Sequence, residues 1–215
     1  MGGSKRKPLN EKELGSLYLL SEAPLVTDRI LRAGQWTEKD VADLHNGLSH
    51  HAPDMALIGI SLSGNLLAEA MKKTGHEDLC TLATELKYLS VNTLEEVGRI
   101  WIDACRYGIA DEQDIHDMVH ESADILCMFT SLFMDISEMI TAQDSCIRAV
   151  AACLMYQCEA HADQARVLVE NVSDNERRQQ SASLRDHIPL PLELQDQKFT
   201  DNVVMFSLFS EQNRK

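Results

Sequence analysis

The chain has 215 residues, 44% of them hydrophobic and 25% charged, which is the profile of an ordinary globular protein with room for one large domain or a domain and an appendage. Its formal net charge of −14 and pI near 4.9 argue against general nucleic-acid binding, which needs a basic surface to displace counterions from phosphates. The same balance argues against docking on anionic membranes, and no stretch approaches the roughly 18 uninterrupted apolar residues of a membrane-spanning helix.

Residues 1–10 are Gly-rich and basic and are expected to form a disordered leader. No apolar segment of signal-peptide type follows Met1 to Lys7, and Arg6 stands where a myristoylation motif wants Ser or Thr. Residues 11–173 are then expected to make an all-α, up-down antiparallel bundle with at least four long helices. Residues 174–215 are expected to form a polar linker and an apolar, Pro-bounded C-terminal tail.

Glu11 to Leu20 reads as a short helix with Leu14, Leu17 and Tyr18 on one side, broken at Pro24. A second runs from about Val26 to Ala33 and stops at Gly34. Thr37, with Asp40 three residues on, caps a helix from Glu38 to His50. Pro53 suits the first turn of the next, which runs to about Lys73 and ends at Gly75. Gly59 and Gly64 inside it cost about 1 kcal/mol each relative to Ala and point to a close helix crossing.

From Leu79 to Cys105 apolar residues keep alternating steps of three and four: Leu79, Leu82, Leu86, Leu89, Thr93, Val97, Ile100 and Ala104. That continuity predicts one long helix kinked near Asn92, although Thr93 and Glu96 have the form of a capping box. Gly108 suits the left-handed position past a helix end, and Asp111 can cap the helix that follows. That helix carries Ile115, Val119, Leu126, Phe129, Phe133, Ile136 and Ile140. Another starts at Asp144 or Ser145, with Ile147, Val150, Leu154, Ala165, Leu168 and Val172 as its buried stripe. Short connections between long helices predict antiparallel neighbours.

Beyond Ser173 to Arg185 come Pro189 and Pro191, which forbid regular helix. Phe199 to Phe209 holds three of the five phenylalanines of the protein. A segment this apolar is expected to pack on its own bundle or on a partner, with Phe199, Val203, Phe206 and Phe209 as contact residues.

The best metal candidate is the row His116, His120 and Asp124, with ring nitrogens four residues apart as two ligands on one helix face would be. At 100° per residue, however, His120 and Asp124 turn away from the apolar stripe of Ile115, Val119, Leu126 and Phe129. No Glu-x-x-His occurs, so a di-metal core of bundle type is not indicated. His45, His50, His51 and Asp54 cluster at a helix junction and read as a polar turn. Glu159 and Asp163 share a helix face, and His161 is turned away from them by about 200°.

No nucleophile elbow, phosphate loop or dinucleotide fingerprint occurs. Cys80, Cys105, Cys127, Cys146, Cys153 and Cys158 form no C-x-x-C pair and read as reduced thiols in apolar helical stretches, in keeping with a cytoplasmic protein. Met118, Met128, Met134, Met139 and Met155 fall at helical spacing and read as core, with a groove or dimer face as the alternative.

The expectation is a non-catalytic adaptor or regulator that binds another protein or itself as a homodimer, with no cofactor. Its rivals are a metal-binding enzyme or sensor built on His116, His120 and Asp124, and an acidic decoy for a nucleic-acid-binding protein.

Overall fold

A computed structural model describes residues 8–108, 112–140 and 145–170, with side chains described there except at 105–107, 112–116 and 169–170. The described chain is all-α. The helices are α1 (Glu11–Tyr18), α2 (Ala23–Ala33), α3 (Glu38–Ser49), α4 (Pro53–Lys73), α5 (Glu77–Thr93), a π-turn (Leu94–Gly98), α6 (Arg99–Tyr107), α7 (Glu112–Met139) and α8 (Ser145–Glu170). The expected leader 1–7 and the tail beyond 170, Phe199, Val203, Phe206 and Phe209 included, lie outside the described residues.

Local chemistry starts the helices where expected. The Thr37 hydroxyl accepts from the Asp40 N–H, and the Asp40 carboxylate accepts from the Thr37 N–H, so both halves of the capping box form. Asn10 and Glu13 make the same reciprocal pair at α1. Ahead of it Leu9 is buried and its N–H donates to Glu95 Oε1 at 2.7 Å, so residues 8–10 already belong to the fold. Pro24 sits in the first turn of α2, and that helix begins at Ala23, three residues before the expected start. Gly34 and Gly108 take φ of 64° and 62°, the left-handed conformation that ends α2 and α6.

The long apolar run from Leu79 is indeed continuous helix, but its irregularity is a π-turn at Leu94–Gly98, just past Asn92. Thr93 caps nothing there: its hydroxyl donates to the Leu89 carbonyl one turn back, at 2.9 Å.

α4 is the axis of the molecule. Every residue from Pro53 to Gly64 is buried, so this part of the helix is enclosed on all sides rather than amphipathic. It packs against α1, α2, α3, α5, α7, α8 and the π-turn. Its polar residues are small, which lets neighbours close in. A Cβ on Gly59 would meet Ser21 Oγ at 2.6 Å and Leu48 Cδ2 at 2.8 Å, and one on Gly64 would meet Ser90 Oγ at 2.7 Å. The expected close crossings therefore occur, against both the α2–α3 side and α5.

α7 and α8 form the most extensive pair. Leu126, Phe129, Phe133 and Ile136 of α7 are fully buried, with the two phenyl rings stacked at 5.7 Å between centroids. Val150, Ala151, Leu154 and Cys158 of α8 complete this side of the core.

Candidate functional site

The residues singled out as metal ligands are not drawn together by what is described. His120 and Asp124 are exposed on α7, and the side chain of His116 lies outside the described residues. Among the described residues no group of three or more His, Cys, Asp or Glu side chains is placed to hold a metal ion. By contrast, His45, which is itself exposed, joins a polar seam between two helices, and Asp54 is fully buried, neither of which a polar-turn reading anticipates.

The first lies along the seam of α3 and α8. Cys153 Sγ approaches the Val41 carbonyl at 3.9 Å, Gln157 Nε2 donates to His45 Nδ1 at 2.5 Å, and His161 Nε2 donates to the Leu48 carbonyl at 3.1 Å. The sequence offsets are 112, 112 and 113, so the two helices run parallel in constant register. Steps of four and three on α3, and of four and four on α8, keep all three rungs on one face of each.

Protonation states follow from the donors. With the Gln157 amide in this orientation His45 Nδ1 accepts, which leaves Nε2 as the ring's N–H. The Gln157 Oε1 left over has no protein partner. His161 is 2% exposed, and its Nδ1 meets Gln164 Oε1 at 3.3 Å. Burial pulls the His161 pKa down; its bonds to Gln164 and Leu48 oppose this, and His51 and His45 add to it. His51 is also pulled down, by burial and then by His50. Neutral His161 with its proton on Nε2 pairs with Gln164 once that amide turns over, and the imidazolium pairs with it as it stands.

The second arrangement is at the start of α4. Asp54 is fully buried, and neither carboxylate oxygen has a protein partner in hydrogen-bond geometry. Burial pushes its pKa up to about 6, opposed by its own N–H, that of Met55 and the Trp101 indole. The Trp101 Nε1 is itself buried without a partner in strict geometry, so the two orphan groups face each other loosely. Trp101 follows the π-turn by three residues, and the wider turn sets its rotation about the helix axis.

The surface holds the third feature. Tyr156 (63% exposed) and Val167 (54% exposed) share one stripe of α8 with the exposed Ala160 and Asp163, at steps of four, three and four. On α7, Met128 and Met139 share an exposed stripe with Asp124, Ser131 and Asp135. The methionines expected as core thus divide: Met118 is buried and Met155 half-buried against the core, but Met128, Met134 and Met139 face outward.

Comparison with protein-family models, with characterised proteins and with solved structures finds no match. The reading of this site rests on its own geometry.

Proposed function

We propose that this protein is a non-catalytic helical adaptor or regulator that acts by associating with a second copy of itself or with another protein. The observation that carries the reading is the α8 stripe. Tyr156 and Val167 stand exposed about three turns apart on one helix face, with only Ala160 and Asp163 between them on that stripe. Tyrosine is a residue that interfaces favour, because its apolar ring can be buried while its hydroxyl keeps a hydrogen bond. The outward methionines of α7 supply adaptable apolar surface on the helix packed beside it. The apolar segment Phe199 to Phe209 provides a further contact element, with Phe199, Val203, Phe206 and Phe209 as its anchors.

A homodimer is the first form of this proposal, because one apolar stripe of modest width is made symmetric and closed by a second copy. The charge of −14 argues against nucleic acid as a direct partner. No helix among the described residues is long and apolar enough to cross a membrane. The described cysteines are free thiols, which supports a reducing compartment such as the cytoplasm.

Light scattering coupled to size exclusion tests the proposal on three proteins: the full chain, a Tyr156→Glu/Val167→Glu variant and a chain lacking residues 188–215. A dimer that dissociates in the double variant supports the α8 stripe as the contact. A dimer lost only on truncation assigns the contact to the tail. A full chain that is monomeric and remains so at every concentration refutes self-association.

A further inference from the structure

The outward sides of α7 and α8 form one surface. Arg166 reaches from α8 to the Cys127 Sγ of α7 at 3.0 Å, and the exposed stripes flank that contact, with Asp163 and Val167 on α8 and Asp124 and Met128 on α7. Tyr156 stands further along the same α8 stripe.

That stripe ends where the described chain ends. Val167 lies within one turn of Glu170, the last residue of α8. Residues 171–198 then separate the helix from Phe199. Extended, a chain of that length reaches about 90 Å, against about 21 Å along the helix from Glu170 back to Tyr156. The spacing of the tail matches the spacing of the stripe. Phe199, Val203 and Phe206 follow steps of four and three, as Tyr156, Ala160 and Asp163 do. Two rows with that repeat interdigitate when they lie along each other.

Charge points the same way. Lys198 precedes the apolar run and Arg214 and Lys215 follow it, with Asp201 and Glu211 the only acids between Lys198 and Lys215. This is a stretch of net charge +1 in a chain of −14. The α7–α8 surface exposes Asp124, Asp135, Glu159 and Asp163. The tail therefore brings complementary charge to it, whereas the same stripe of a second copy brings the same acids.

We propose that residues 199–209 cover the α8 stripe of their own chain, with Phe199, Val203 and Phe206 laid along Tyr156, Ala160 and Val167, so that a partner gains the stripe only when the tail leaves it. This rests on the reading of the α8 stripe as the contact surface and supplies its occupant. A tether long enough to span its site presents the segment at an effective concentration on the order of millimolar, so the tail outcompetes a second copy in dilute solution. Self-association is then favoured by high protein concentration or by a partner that takes the tail.

Photo-crosslinking of the full chain tests this, with p-benzoylphenylalanine in place of Phe206 and the products mapped by mass spectrometry. Crosslinks are expected within a single chain, to residues 156–167 or to the adjoining outer face of α7. Their yield is expected to fall by about tenfold or more when Tyr156→Glu/Val167→Glu is added. Crosslinks that map elsewhere on the bundle, that join two chains, or that persist in the double variant overturn the proposal, and each of these leaves association through the stripe itself standing. A full-length Phe199→Glu/Phe206→Glu variant is read beside it by sedimentation and is expected to self-associate about tenfold more tightly than the wild type. If that variant stays monomeric while the crosslinks fall on the stripe, the cover is upheld and self-association is refuted.

Discussion

Leu48 of α3 and His161 of α8 are 113 positions apart in the chain and share one hydrogen bond, the His161 Nε2–H donating to the Leu48 carbonyl at 3.1 Å. The same carbonyl also accepts the His51 backbone N–H at 3.1 Å. His161→Phe therefore removes one donor and leaves the acceptor satisfied by backbone N–H groups. The expected loss is about 1 kcal/mol of unfolding free energy rather than the roughly 3 kcal/mol of a fully orphaned buried group, measured by urea denaturation near neutral pH. A loss above that upper figure means that the ring carries more than this bond.

Asp54 predicts a gain. Its pKa is about 6 in the fold against an ordinary 3.8, so between these values the folded chain binds more protons than the unfolded one. Stability falls as pH rises through that window, and above it the folded state carries the whole penalty of a buried, unpartnered carboxylate. Asp54→Asn is expected to stabilise by up to about 3 kcal/mol near pH 8, with the gain vanishing below about pH 4. Denaturation curves for both proteins across that range check it; an equal effect at every pH excludes the carboxylate charge as the cause.

The His161 cluster contributes the opposite pH sense. A histidine whose folded pKa is lowered contributes stability that is present above its unfolded value and lost as pH falls through the folded one. An Asp54→Asn background removes the opposing carboxylate effect, so the histidine limb is expected to show between neutral and mildly acid pH, ahead of the loss from Asp40 and Glu69, whose lowered pKa values act further into acid. Thermal denaturation followed from neutral to mildly acid pH in that background reads it directly. A flat profile there removes the histidines as the source of acid sensitivity.

Two glycines predict opposite signs. Gly15 lies in α1 with nothing within 4 Å of a built Cβ, so Gly15→Ala is expected to stabilise by up to about 1 kcal/mol through helix propensity. Gly59 faces Ser21 Oγ and Leu48 Cδ2 below 3 Å, and Ser21 is bound to the Gly47 carbonyl and the Ala23 N–H. There the overpacking of about 1–3 kcal/mol outweighs the propensity gain, and Gly59→Ala is expected to destabilise. Melting temperatures of the two variants settle both; a stabilised Gly59→Ala contradicts the close crossing.

Much of the helix order was legible because caps and breakers act over three or four residues. Thr37 with Asp40, Pro53 and Gly108 each mark a boundary that the structure keeps. Pro24 shows the limit: whether a proline ends one helix or opens the next depends on the chain around it, and here it opens α2. The angle of His161 to Glu159 and Asp163 was also readable, and burial follows it: the histidine faces inward and the two acids outward.

What that angle meets was not readable. His45 and Gln157 are adjacent only because α3 lies parallel to α8, an arrangement no local signal specifies. Asp54 beside His50 and His51 has the composition of a surface turn, yet it is buried because the first half of α4 is surrounded on every side. The outward face of Met128 and Met139 is similarly decided by which side of α7 the other helices leave open.

The amino-acid sequence by itself determined the all-α class and most helix boundaries, since these depend on periodicity, caps and breakers within one or two turns. Tertiary structure alone decided that α4 is the enclosed axis, that α3 is fastened to α8 by a histidine-bearing polar ladder, and that Asp54 and Trp101 face each other in the core. The reason is physical: a side chain's protonation and partners depend on what is excluded around it, and exclusion is a property of packing between segments far apart in the chain.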